Sequence, residues 1–175
     1  MSDIPKSRRS KSSLEAYHKS IQLRRRLAME LLGSFAFSHK ELKSMIDKNV
    51  KHVNDLDRRT NILDGISNLE EGFSIWFIKR HRDRVDDLCC EISQHIRAAN
   101  TIWPTYKFEF DDRRNEWNQA LKACNILQDE LQYISESIPA DKNRYMNIVL
   151  DVDELFNIIK SLRQSDNRFL KYLKD

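Results

Sequence analysis

Two stretches near the end of the chain decide the fold: Trp117–Ile138, WNQALKACNILQDELQYISESI, and Tyr145–Leu162, YMNIVLDVDELFNIIKSL. In each, apolar residues recur at steps of three and four, the period of a helix with one buried face. The first stripe is Trp117, Ala120, Cys124, Leu127, Leu131, Ile134 and Ile138, and the second is Tyr145, Ile148, Val152, Leu155, Ile159 and Leu162. Such stripes pack as seams between neighbouring helices. The short break at Ile138-Pro139-Ala140-Asp141 predicts an antiparallel helical hairpin, and two such hairpins make a four-helix bundle.

Weaker patterns predict the preceding helices. A first helix over residues 13–33 turns Leu14, Tyr17, Ile21, Leu27, Ala28 and Leu31 inward and stops at Gly33. A capping box at Ser38-His39-Lys40-Glu41 starts a second, with Leu42, Met45, Ile46, Val50 and Val53 inward. Residues 54–72 are less periodic and contain Gly65 and Gly72, so they are expected to form a loop or broken helix. A further helix over 73–102 buries Phe77, Val85, Leu88, Ile92, Ile96 and Ala99 and ends before Pro104. The prediction is an all-α bundle of four to five helices: a flexible basic arm over 1–12, then one helical domain over 13–175.

Composition agrees with a helical protein and excludes several classes. Of the 175 residues, 33% are charged and 40% hydrophobic, and only 3 Gly and 3 Pro supply turns, which is too few for a many-stranded β protein. No run approaches the ~20 apolar residues that span a bilayer, and Met1–Ser13 lacks the apolar core of a signal peptide. Three cysteines, two of them adjacent (Cys89 and Cys90), fit reduced thiols. The expectation is a cytoplasmic protein with no membrane role.

Catalytic and metal-binding motifs are not apparent in the sequence. The glycines at 33, 65 and 72 are isolated, so they form no phosphate-binding loop. Glu91 and His95 are one helical turn apart, but a di-iron bundle needs carboxylates from four helices, so neither is predicted as a metal ligand. The three cysteines lie on or beside apolar stripes, where packing is the simpler role. The expectation is a protein without catalytic residues, metal or cofactor.

Positive charge is concentrated at the two ends of the chain. Residues 1–26 hold eight Lys or Arg against two acidic residues, residues 156–175 hold five against two, and the centre is acidic. Arg8 and Arg9 with Arg24, Arg25 and Arg26 are candidates for one phosphate-contacting surface; the alternative is ordinary solvated surface. Arg113 and Arg114 are expected to form surface salt bridges with Asp111, Asp112 and Glu116. We expect no base-reading platform of interleaved aromatic and basic residues.

The order of motifs over the last 75 or so residues resembles a known family. It runs through Ala99-Asn100-Thr101-Ile102-Trp103-Pro104, Arg113-Arg114 with Trp117 and Ala120, Cys124, Glu130-Leu131-Gln132-Tyr133, Pro139-Ala140-Asp141-Lys142-Asn143, and Ile159-Lys160-Ser161-Leu162-Arg163-Gln164-Ser165-Asp166-Asn167-Arg168. This order resembles the accessory variability determinant (Avd-like) four-helix-bundle proteins of diversity-generating retroelements. Residues 34–97 are longer and more acidic than that pattern, which leaves the subunit number open.

The resemblance implies a non-catalytic homo-oligomer, a pentamer in that family, that binds a reverse transcriptase and its structured template RNA to support cDNA synthesis. Lys160, Arg163, Arg168 and Lys171 are the C-terminal candidates for RNA contact, although cations at a helix C-terminus also complement its dipole. Trp103, Phe108 and Phe110 exceed what the two seams require and are predicted as a subunit interface. The alternative function is a helical protein–protein adaptor, such as a phage or defence-system scaffold, without nucleic-acid binding.

Overall fold

The computed structural model describes residues 13–30, 56–137 and 142–174, and these are almost entirely helical. Four α-helices occur in this part of the chain: α1 (Ser13–Glu30), α2 (Leu56–Thr101), α3 (Lys107–Ser137) and α4 (Lys142–Ser165). A 3-10 helix over Asp166–Lys171 follows α4 directly. The predicted all-α bundle is confirmed.

The core forms where the two decisive stripes meet α1 and α2. All described members of both stripes are buried, from Trp117 to Ile134 on α3 and from Tyr145 to Leu162 on α4. Leu131, Leu155 and Ile159 are at most 1% exposed. The stripe of α2 is buried as predicted, with Phe77, Val85, Leu88, Ile92, Ile96 and Ala99 inside. Ile138, the last member of the α3 stripe, lies outside the described residues.

Side-chain contacts between helices fix the order in which they pack. Between α2 and α3, His81 pairs with Glu130 and His95 pairs with Glu116. Between α3 and α4, Arg113 pairs with Asp166 just past the end of α4, and Gln128 donates to Asp153. In each pair of helices, a later residue on one helix contacts an earlier residue on the other, which is the order that antiparallel neighbours produce.

The inward face of α1 agrees only in part with the predicted face. Leu27, predicted inside, is buried, and Tyr17 packs against the core. Ala16, Ser20 and Leu23 are also buried, whereas Leu14 and Ala28, predicted inside, are exposed. Ser20 donates to the carbonyl of Tyr17 and lies 3.1 Å from the Ser93 hydroxyl of α2. This polar contact explains the difference: a serine occupies a core position, so the apolar pattern alone does not identify the whole inward face. Leu31 and Gly33 lie outside the described residues.

The loop or broken helix predicted over residues 54–72 is wrong from Leu56 onward. Residues 56–101 form one helix of 46 residues, and Gly65 and Gly72 lie inside it. An isolated glycine costs a helix about 1 kcal/mol relative to alanine, which long flanking helical segments outweigh. The predicted arm over 1–12 and the second helix from Ser38 to Val53 fall outside the described residues. Within the described ranges, no helix has the length and apolar character needed to cross a membrane.

Candidate nucleic-acid interface at one end of the bundle

The connection between α2 and α3 is built by a proline and a capping glutamate. Helix α2 ends at Thr101, ahead of Pro104 as predicted. The Oε2 atom of Glu109, in the first turn of α3, accepts from the backbone N–H of Thr105 at 2.7 Å and of Tyr106 at 3.0 Å. These are donors that a helix N-terminus leaves without an intrahelical acceptor. The hydrogen bonds from Tyr106 and Thr105 hold the pKa of Glu109 below its usual value.

The C-terminal segment pairs with this connection through the backbone. Lys174 N–H donates to the carbonyl of Thr105 at 2.9 Å, and Lys107 N–H donates to the carbonyl of Lys174 at 3.3 Å. The two hydrogen bonds form an isolated parallel bridge between Tyr106 and Lys174. Residues 103–108 and 166–174 therefore lie side by side at one end of the bundle, although more than 50 residues separate them in the sequence.

A buried ion pair supports both segments from beneath. Arg113 and Asp166 are 7% and 3% exposed. Arg113 Nε donates to Asp166 Oδ2 at 2.6 Å, and Nη2 donates to Oδ1 at 3.2 Å. Trp117 Nε1 donates to the same Oδ2 at 2.7 Å. The Asp166 carboxylate thus accepts three hydrogen bonds, which is what a buried charge needs to be tolerated.

The other terminal nitrogen of Arg113 closes the end of α2. Arg113 Nη1 donates to the carbonyls of Ala99 at 2.6 Å and Ile102 at 2.7 Å. Carbonyls in the last turn of a helix lack intrahelical donors, so Arg113 joins α2, α3 and the 3-10 helix. The predicted surface salt bridge from Arg113 to Asp111, Asp112 or Glu116 is wrong. Arg114 also departs from that prediction, since it donates to Asn167 at 3.0 Å and lies over the Phe110 ring.

Above this ion pair, exposed apolar and basic side chains lie together on the two segments. We call this set the terminal platform: Trp103, Tyr106, Phe108, Leu170 and Tyr172, with Lys107, Arg168, Lys171 and Lys174. Every member is exposed, Trp103 at 74%, Phe108 at 64% and Tyr172 at 79%. Of the acidic residues in or next to these two segments, Glu109 accepts from backbone N–H groups and Asp166 pairs with Arg113, while Asp111 and Asp112 are exposed in the next turn of α3.

Ring contacts order part of the platform. The Trp103 ring meets the buried Phe169 ring edge-on at 5.2 Å between centroids, and the Arg168 guanidinium lies 4.9 Å from the centroid of Phe169. The rings of Tyr106 and Phe108 are nearly parallel, with an interplanar angle of 14°. Phe110, predicted as an interface residue, is instead 5% exposed; it points inward because it lies on the same face of α3 as Arg113 and Trp117.

The predicted C-terminal basic residues divide between the platform and α4. Arg168 and Lys171 belong to the platform, and Lys160 is exposed on α4, slightly more than one turn before its end. Arg163 is half-buried, and its Nε is buried without a hydrogen-bond partner among the described residues. Helix α4 ends at Ser165, but Ser165 caps nothing: its hydroxyl donates back to the carbonyl of Leu162.

The arginines of α1 are largely occupied by the protein's own carboxylates. Arg24 binds Asp86 through two hydrogen bonds of 2.7 Å, which raise the pKa of Arg24 and lower that of Asp86. Arg26 pairs with Asp151 of α4. Arg25, by contrast, is exposed, and Arg8 and Arg9 lie outside the described residues.

The α1 arginines also lie far from the platform. Asp151, the partner of Arg26, is 14 residues before Ser165 on α4, which corresponds to about 20 Å along the helix. The structure therefore does not bring Arg24, Arg25 and Arg26 together with Arg168 and Lys171. The described residues hold a further exposed basic stretch on α2, formed by Lys79, Arg80, Arg82 and Arg84, whereas the C-terminal region places its basic side chains among several exposed aromatic rings.

The thiols and imidazoles occupy structural positions. Burial raises the pKa of both Cys89 and Cys124 to about 12, which suppresses the nucleophilic thiolate form. His95 pairs with Glu116 of α3 at 2.7 Å, across the helix interface. Among the described residues, no group of three or more His, Cys, Asp or Glu side chains is arranged to hold a metal ion.

The sequence analysis did not identify the terminal platform, although the amino-acid sequence of its two segments contains a signal for it. RFLKYLK at 168–174 interleaves basic and aromatic residues, and WPTYKF at 103–108 supplies three aromatic residues and one lysine, which the expectation of no such interleaving overlooked. Each segment alone is short, and only the backbone bridge joins them. Comparison with protein-family models, with curated proteins and with solved structures finds no match to this chain.

Proposed function

We propose that this protein is a non-catalytic accessory protein that binds structured RNA together with a reverse transcriptase and supports cDNA synthesis. The observation that carries the RNA-binding part is the terminal platform. Lys107, Arg168, Lys171 and Lys174 are all exposed there, and none of them takes part in the ion pairs found within the described part of the chain. Lysine and arginine that contact phosphates release condensed counterions, which is the main source of affinity for nucleic acid.

The link to a reverse transcriptase is supported by the resemblance of the last 75 residues to the Avd-like proteins. A reverse-transcriptase gene with paired near-repeats beside the gene for this protein is the genomic arrangement that the proposal requires. Co-purification of that reverse transcriptase with the tagged protein is the biochemical counterpart.

The test of RNA binding compares two triple variants. A fluorescein-labelled RNA hairpin with a single-stranded tail is titrated with protein between 50 and 200 mM salt, and anisotropy is recorded. Arg168/Lys171/Lys174→Ala is expected to weaken binding and to lower the slope of log affinity against log salt by roughly 0.7–0.9 for each phosphate that is no longer neutralised. Arg24/Arg25/Arg26→Ala is the matched control with the same change in charge. Its effect is expected to be smaller, because Arg24 and Arg26 are paired with Asp86 and Asp151. A wild-type protein that does not bind the RNA at 50 mM salt would refute the proposal.

The alternative function is a protein–protein adaptor without nucleic-acid binding. The exposed rings of Trp103, Phe108 and Tyr172 favour it, since aromatic residues are enriched in protein interfaces. The lysines between them oppose it, because protein interfaces are depleted in lysine.

A further inference from the structure

The terminal platform combines two chemistries that one ligand class needs together. Bases of single-stranded nucleic acid stack on aromatic rings, while the phosphates between them contact basic side chains. In a duplex the bases are already stacked on one another and have no free face to offer. Trp103, Phe108 and Tyr172 expose more than half of their surface, which is far more ring area than phosphate binding requires.

We propose that the terminal platform binds unpaired nucleotides of RNA, with bases stacked on Trp103, Phe108 and Tyr172 and phosphates held by Lys107, Arg168 and Lys171. This inference rests on the proposed RNA-binding function and assigns its ligand class and its site.

The spacing of the platform suits a chain of nucleotides. Residues 103–108 carry three exposed rings and one cation, Lys107, while residues 168–174 carry three cations and one exposed ring, Tyr172. The backbone hydrogen bonds between Lys174, Thr105 and Lys107 set the two rows side by side. A base on a ring of the first row therefore has the cations of the second row beside it.

The platform is also held in place before any ligand arrives. Arg113 and Asp166 fix the start of the 3-10 helix against α3, and Phe169 packs beneath Trp103. Preformed sites bind more tightly because binding then requires less ordering of the protein.

A second copy of this chain fits the platform less well than RNA does. In a two-fold contact the same patch meets itself, so Lys107, Arg168, Lys171 and Lys174 would face their own copies. Like charges brought together at an interface cost binding free energy, and RNA phosphates instead neutralise all four.

Stacking and charge are separated by measuring two RNAs with four variants. The probes are a fluorescein-labelled 12-nucleotide oligouridylate and a blunt 12-base-pair RNA duplex, followed by anisotropy at several salt concentrations. Trp103→Ala and Tyr172→Ala are each expected to weaken oligouridylate binding about 5- to 100-fold without changing the salt slope. Trp103→Phe, which keeps a ring, is expected to restore most of the affinity.

The fourth variant, Tyr133→Ala, is the control. Tyr133 is 52% exposed, but it lies on α3 about 40 Å along the helix axis from Lys107. It is expected to bind oligouridylate as the wild type does, and duplex binding is expected to be unchanged in all four variants.

The possible outcomes distinguish failure of the platform assignment from failure of the proposed RNA-binding function. If Trp103→Ala and Tyr172→Ala bind oligouridylate as the wild type does, while the wild type still binds RNA, the platform assignment is wrong and the proposed function stands. If the wild type binds neither RNA, the proposed function fails and the assignment fails with it. If the two alanine variants change the mass of the particle in solution and leave RNA binding intact, the platform is a protein interface and the assignment is overturned.

Discussion

Arg113 joins three parts of the chain, and its role depends on a partner distant in sequence. Its guanidinium donates to Asp166 and to the carbonyl of Ala99 in a buried environment, and to the partly buried carbonyl of Ile102. A buried ion pair is weak evidence of net stability, but removing one partner leaves the other charge uncompensated. The platform therefore depends on Asp166, which is itself almost inaccessible.

Asp166→Ala should destabilise the fold by about 3–5 kcal/mol, because Arg113 would remain buried and charged. Urea unfolding followed by circular dichroism measures this change in the free energy of unfolding. Asp112→Ala is the control, since Asp112 is exposed on α3 and a surface change of this kind is usually within about 0.5 kcal/mol. An Asp166→Ala protein as stable as the control would show that the ion pair does not hold the C-terminal segment.

The three cysteines should differ in reactivity according to their burial. With a pKa of about 12, the thiols of Cys89 and Cys124 are ionised in only about one molecule in 10⁴ at pH 8. Cys90 is half-buried, with Gln94 donating to its sulfur. Brief treatment with iodoacetamide at pH 8 should label Cys90 first, and all three should react in denaturant. Tandem mass spectrometry of the peptides 85–97 and 123–142 reads the sites, and equal labelling of Cys89 and Cys90 would contradict the structure.

Because these two thiols are buried, the free energy of unfolding should decrease at alkaline pH. In the unfolded chain a thiol ionises near pH 8.5, whereas in the fold Cys89 and Cys124 stay neutral up to about pH 12. A raised pKa contributes stability that is fully present below the unfolded value and is lost as the pH rises toward the folded one. The melting temperature should therefore fall between pH 8.5 and 12, and a Cys89→Ala/Cys124→Ala variant should show a shallower decline. Equal slopes would contradict this assignment.

Among the elements, α3 and α4 supply the seam that sequence periodicity identifies best. Leu131 is 1% exposed within it. Leu131→Ala should cost roughly 2–5 kcal/mol through reduced burial and the cavity that remains. Leu170→Ala on the 3-10 helix is the matched control because that leucine is 54% exposed, and its cost should stay within about 0.5 kcal/mol. Chemical denaturation of both variants provides the comparison, and equal costs would argue against the seam.

The sequence predicts burial correctly where the pattern depends only on residues close together along one helix. The stripes of α3 and α4 are local patterns, so their burial follows from spacing alone. It failed at Gly65 and Gly72, where a weak local preference for a break is outweighed by the flanking helix. It also failed at Arg113, because Asp111, Asp112 and Glu116 are near in sequence while the true partner, Asp166, is 53 residues away. The terminal platform was missed for the same reason: the bridge that creates it joins Tyr106 to Lys174.

For the molecule as a whole, the distribution of exposed apolar side chains favours self-association away from the terminal platform. Leu14 and Met29 on α1, and Met146 and Leu150 on α4, are each more than half exposed, and these two helices contact one another through Lys19–Glu154 and Arg26–Asp151. Exposed apolar surface on adjacent elements commonly marks an interface. Trp103 and Phe108, which the sequence predicts as interface residues, are set among like charges and suit RNA better.

Light scattering at tens of micromolar should return a multiple of 20.9 kDa, because the α1 and α4 side would be covered by another copy. A Trp103→Ala/Phe108→Ala variant should give the same mass as the wild type. A single-chain mass for the wild type would contradict self-association, and a lower mass confined to the variant would move the subunit interface to the platform.

The position of Asp166 in the chain also affects the order in which parts of the fold form during protein synthesis. Arg113 and Asp166 are 53 residues apart, so at about 5–20 residues per second the ribosome needs roughly 3–11 s to add the second after the first. Throughout that interval the guanidinium lacks its native carboxylate partner, and burying it alone would be costly. The first turns of α3 are therefore expected to stay hydrated until Asp166 has been added. The end of the bundle that carries the terminal platform is therefore expected to close only after residues 166–174 have left the ribosome.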